Sequence, residues 1–155
     1  MTEHLYESRI EWTGDRGDGT RSYRGYDRSW EINTQGKPVI ACSNDPLLGG
    51  DPTRPNPEDL LLSSLAACHM LWYLHLASTA RIVVRRYVAQ PLRVGENERN
   101  GAGRFLRATL RPVIEVERGA DLARAEAIHH EVHQYCFIAR SVNFPVAYEP
   151  RFIEV

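Results

Sequence analysis

Lysine is nearly missing from this chain: Lys37 is the only one among 19 basic residues, and the rest are arginine. With 20 acidic residues the formal net charge is -1, and the arginines are scattered instead of forming the patch or stripe that a nucleic-acid partner requires. The N-terminal MTEHLYESRIEW lacks the charged and apolar regions of a secretory signal. No uninterrupted apolar run approaches the roughly 18 residues of a membrane span, because Ser63, Ser64, His69 and His75 interrupt the longest candidate. Cysteine is also scarce. Three of them, an odd number, argue against a secreted disulfide framework and point to the cytoplasm, where thiols stay reduced. Internal repeats and low-complexity segments are absent as well.

What is there suits one ordinary domain over residues 1–155. Hydrophobic residues make up 43% of the chain, and three tryptophans and seven tyrosines supply core material. Residues 5–13 and 21–32 alternate as strands around the turn GDRGDGT. From Asn44 to Pro57 four prolines and two glycines in 14 residues force an irregular segment. Asn56 then stands as N-cap, Pro57 at the first helical position, and Glu58 and Asp59 in the first turn, predicting a helix to about Thr79 that is apolar on nearly every face. Residues 81–94 and 104–117 read as two further strands, 119–134 as a second helix with Leu122, Ala125, Ile128 or His129, and Val132 inward, and 144–155 as an edge strand broken by prolines. Strands with segregated helices indicate an α+β architecture.

Most chemical motifs fail on spacing. HHEVH at 129–133 leaves one residue between Glu131 and His133 where the metalloprotease helix needs two, so no zinc or other cofactor is expected. A metal-assisted hydrolase using His69, His75 or the His129/His133 pair is a weak third reading. GDRGDGT lacks the Gly-Lys-Ser/Thr ending of a phosphate loop, and no Gly-x-Ser-x-Gly elbow occurs. Cys42 ends a strand and reads as incidental. Cys68, nearly three turns into the first helix, and Cys136, near the end of the second, can each be small buried hydrophobes on composition alone.

Taken with their surroundings, the last two cysteines carry more. NPEDLLLSSLAACHM from Asn56 and HHEVHQYCFIARSVNFPV from His129 resemble the two cysteine motifs of the OsmC/Ohr family, the osmotically inducible protein C and organic hydroperoxide resistance proteins. The likeness spans almost the whole chain and implies a single OsmC-like domain. It further implies an intertwined homodimer, with antiparallel sheets wrapped around long central helices and sites at the subunit interface. The activity implied is thiol-dependent reduction of organic hydroperoxides, reset by a dithiol such as a lipoyl protein. By position Cys68 matches the peroxidatic cysteine, Cys136 the resolving cysteine, Glu58 the glutamate that orients an arginine, and Arg16 that arginine; Arg21 and Arg24 lie on the same turn region. Phe137 stands where many members have proline, and His69 follows Cys68 about 100° around the helix, a packing position more than a base. The runner-up is a non-catalytic member that binds a small apolar or electrophilic ligand at the dimer interface.

Overall fold

Helix α1 (Pro57–Thr79) begins where its sequence signals stand. The Asp59 amide donates to the Asn56 side chain (2.8 Å), and the Asn56 amide donates to the Asp59 carboxylate (3.2 Å), so two orphan donors of the first turn are satisfied reciprocally. At the other end Arg81 takes φ +59°, the left-handed position usually given to glycine, and lets the Ile82 amide reach the Ala77 carbonyl at 2.9 Å.

The computed structural model describes residues 1–155 and divides into two compact units, Met1–Leu60 and Leu61–Val155. The first holds a three-stranded antiparallel sheet in the order β1 (Ile10–Trp12), β2 (Trp30–Ile32), β3 (Ile40–Cys42). The first two strands are shorter than their alternation predicts, and the second loses its N-terminal half because residues 14–28 form a loop tied by its own side chains. The Asp15 carboxylate accepts from the Gly17 and Gly19 amides, the Trp12 indole donates to the Asp27 carbonyl, and the Arg28 guanidinium sits over the Tyr23 and Tyr26 rings at 4.3 and 4.4 Å. Gly14 is required here, since a Cβ would overlap the Asp27 carbonyl oxygen.

The second unit contains β4 (Val84–Ala89), β5 (Leu92–Asn97), β6 (Gly103–Leu110), β7 (Pro112–Val116), α2 (Leu122–Val132), β8 (Val146–Tyr148) and β9 (Arg151–Glu154), in two sheets ordered β4-β7-β9 and β5-β6-β8. Two expectations are corrected. Each long β run splits in two, at Pro91, at Arg111–Pro112 and at Pro150, because proline has no amide to continue a ladder. The first two breaks face each other, with the Arg111 side chain donating to the Gln90 carbonyl at 2.8 Å, so the hairpin passes from one sheet to the other there. The C-terminal run lies at the edge of both sheets as expected, but its pairing is parallel and not antiparallel: β8 pairs with β6 and β9 with β7, which makes both sheets mixed within the α+β class.

Two clusters form the core of this unit. Tyr73 and Ala77 of α1 meet Ile114 and Val116 of β7 and Ala125, Ile128 and Val132 of α2; one level earlier, Leu65 and Ala66 meet Ala108 and Leu110 of β6. Leu122, expected to face inward, is exposed at the start of α2. Helix α1 is, contrary to the sequence reading, long and apolar enough to cross a membrane, with a mean hydropathy of 1.5; serine and histidine interrupt the apolar run without lowering its average enough. Core helices of soluble proteins meet that criterion too, but only 28% of this stretch is covered within the chain.

Candidate active site

Two sulfurs separated by 68 residues in sequence are brought together. Cys68 is half-buried on α1; Cys136 is fully buried in the cluster against which Cys68 packs, near enough for the two thiols to act on each other. Cys136 is held by the chain on both sides. Its amide donates to the Val132 carbonyl (3.0 Å), extending α2 by a turn, and its sulfur accepts from the Ala139 amide (3.5 Å) at the start of a 3-10 turn over Ala139–Ser141. Burial first, then the neighbouring Cys68, push the Cys136 thiol up to about 11, against the opposing pull of the Ala139 and Ile138 amides. No cation contributes to that balance. Phe137, in the place where proline is common, is exposed, and the helical turn continues through it.

The walls of the site come from the same two helices. Trp72, one turn beyond Cys68, stacks on Tyr135 with ring centroids 4.9 Å apart and meets His75 edge-on. Leu71, Trp72 and His75 line an open, mainly apolar pocket of about 210 Å³. Spacings of three, four and seven residues put Cys68 on this face of α1.

The other candidates fall elsewhere. Arg16 is exposed and bound to Asp27, with Nη2 to Oδ1 at 2.6 Å, and this pairing holds the Asp27 carboxyl below its usual range. Glu58 sits in the first turn of α1, and its Oε2 is shut off from water without a hydrogen-bond partner. Cys42 is buried in the first unit, where desolvation raises its thiol and Arg54 opposes the rise. His133 is exposed and does not pair with His129.

His129 has a different partner, which the sequence reading missed. His69 Nε2 and His129 Nδ1 lie 2.8 Å apart with both rings buried and nearly coplanar, 6° between planes. The Tyr73 ring stacks on His129 at 4.2 Å, and the Tyr73 hydroxyl donates to the Ala125 carbonyl at 3.1 Å. Desolvation keeps both imidazoles neutral: His69 is lowered to about 4, with His133 adding to the effect, and His129 to about 3, with His69 and His130 adding to it. Two signals pointed to the pair. A histidine on a helix apolar all round needs a partner once buried, and His129 shares the inward stripe of α2.

Residues 49–150 match the OsmC-like protein family. An OsmC-like protein of unknown function from Vibrio cholerae O1 biovar eltor superposes with a TM-score of 0.84 at 25% identity, over 97% of this chain and 99% of that one. An organic hydroperoxide resistance protein OsmC from Legionella pneumophila gives 0.66 at 20% identity, over 99% and 100%. An organic hydroperoxide resistance protein from Elizabethkingia anophelis gives 0.66 at 16%, over 99% and 100%. At their level of identity the last two establish a shared fold. No curated protein matches the chain significantly in sequence.

Proposed function

We propose that this chain, which belongs to the OsmC-like protein family, reduces organic hydroperoxides with Cys68 and Cys136 and serves in oxidative-stress defence. The observation that carries this reading is the juxtaposition of the two sulfurs, one partly accessible and one buried. The accessible thiolate attacks the distal peroxide oxygen; the O–O bond breaks, the alkoxide leaves as an alcohol after taking up a proton, and Cys68 becomes a sulfenic acid. Cys136 then attacks that sulfur, water leaves, and a disulfide joins the pair.

Reset follows from the asymmetry of the two sulfurs. A dithiol, a lipoyl protein for example, attacks Cys68 because Cys136 is buried; Cys136 leaves and takes up a proton, and the second thiol of the dithiol then displaces Cys68, closing the reductant's own disulfide. The apolar pocket of Leu71, Trp72 and His75 receives the organic group of the peroxide.

By resemblance, Arg16 takes the role of the family's active-site arginine and Glu58 that of the glutamate that orients it. Support comes from the unpartnered Glu58 Oε2, an arrangement that suits a carboxylate awaiting a guanidinium. The pair Arg16 makes with Asp27 is exposed, and an exposed ion pair of this kind contributes little. A second copy of the chain covers the uncovered apolar face of α1, where Leu61 and Leu71 are exposed, giving a homodimer in a reducing cytoplasm.

Purified protein with dithiothreitol is expected to consume cumene hydroperoxide faster than hydrogen peroxide, and Cys68→Ser to abolish this. Equal, slow consumption by both proteins refutes the enzyme reading. One observation favours a second reading, a ligand-binding member without turnover: the Cys136 thiol is strongly protonated and no cation acts on it. That reading predicts binding of an apolar ligand in the pocket with both thiols left reduced.

A further inference from the structure

Burying two imidazoles side by side is a poor way to hold helices together, because both must be desolvated and one nitrogen, His129 Nε2, is left buried with no partner at all. Apolar side chains of similar size would cover the same surface. What the pair supplies and they would not is direction. Hydrophobic contacts tolerate sliding and rotation, whereas a 2.8 Å bond between two ring nitrogens fixes one height and one rotation of α1 against α2.

At that height Cys68 packs against the cluster that holds Cys136. His69 is the neighbour of Cys68 on α1, and His129 lies on α2, which continues through the Cys136 amide bond to the Val132 carbonyl. A disulfide tolerates Cα separations only between about 4.4 and 6.8 Å, while each residue of helix slip moves a side chain by about 1.5 Å. A slip of one or two residues is therefore enough to part the pair. Resting on the redox reading above, we propose that the His69–His129 hydrogen bond is a positioning device that sets the register of α1 on α2 and so holds Cys68 and Cys136 at bonding distance.

The test uses the full-length reduced protein and diamide. Its N=N bond takes two electrons and two protons from the two thiols, giving a hydrazine and the Cys68–Cys136 disulfide, so no peroxide activity is needed for the readout. In His69→Leu/His129→Leu, which removes both polar groups together, the disulfide should form at least about ten-fold more slowly at an unchanged folded fraction. In His69→Gln/His129→Asn the side-chain amides stand close to the positions of Nε2 and Nδ1 and keep the bond, and the rate should return to within about three-fold of wild type. A leucine pair as fast as wild type, or a glutamine/asparagine pair as slow as the leucine pair, overturns the proposal. Should the leucine pair fail to fold, His69→Asn, whose amide stops about one methylene short of His129, takes its place with the same expected slowing. Loss of peroxide turnover with these diamide rates intact refutes the redox reading and leaves the positioning role standing; wild-type diamide rates in the leucine pair refute the positioning role alone.

Discussion

Acidification from pH 7.5 to 5 is the perturbation to which the buried histidine pair should respond most. His69 and His129 ionise near 4 and near 3 when folded, both below their ordinary 6.5. The unfolded chain therefore takes up protons first as the pH falls. Stability derived from keeping the rings neutral is whole above about pH 6.5 and is lost progressively toward pH 4 and then 3. At pH 5 each ring in the unfolded chain is about 97% protonated and each folded ring mostly neutral, which costs about 2 kcal/mol per ring and about 4 kcal/mol together. Against a typical total of about 5–15 kcal/mol this is a large fraction. Urea unfolding at pH 7.5, 6 and 5 measures it, with His69→Leu/His129→Leu as the comparison. The wild type should lose about 4 kcal/mol by pH 5, and the leucine pair should lose less than about 1 kcal/mol over the same range. Parallel pH profiles for the two proteins would refute the reasoning.

Three other expectations follow from single residues. Arg81→Gly relieves a left-handed side-chain conformation at the end of α1 and should stabilise the chain by about 1 kcal/mol, read as a rise of about 2–4 °C in Tm. Gly14→Ala drives a methyl group into the Asp27 carbonyl and should lower Tm by several degrees or melt the first unit locally, visible as lost amide protection at Asp27 and Thr13, whose amides bond Gly14 and Ser29. Cys136→Ser should leave the first oxidation of Cys68 intact but stop turnover, so that excess cumene hydroperoxide drives Cys68 to sulfinic acid, a gain of 32 Da by mass spectrometry that follows from two added oxygens.

The helix around which the site is built was legible because its signals are local. Asn56, Pro57, Glu58 and Asp59 cap and charge one turn, and nothing distant is needed to read them. The pairing of Cys68 with Cys136 was available only as a resemblance, since neither residue carries a local mark of reactivity and 68 residues separate them. The β runs misled for a physical reason: alternation continues across Pro91, Arg111–Pro112 and Pro150, so the passage of each run from one sheet to the next leaves the pattern unbroken. Parallel pairing of β8 and β9 depends on which edges the earlier strands leave free, a tertiary fact. The meeting of His69 with His129 was missed because HHEVH drew attention to the spacing between His129 and His133, whereas the bond runs across the helix interface. Arg16 was placed by its glycine-rich context, and that context puts it on an exposed loop with Asp27 at hand.

Peptide mapping after one equivalent of cumene hydroperoxide, added to the fully reduced protein and quenched with an alkylating agent, tests the central claim most directly. The account predicts a loss of 2 Da, the two hydrogens of the thiols, and a single cross-linked peptide joining Cys68 to Cys136, with Cys42 alkylated only after unfolding. A protein that keeps all three thiols after the peroxide is added, or that joins Cys42 to either of the others, contradicts it.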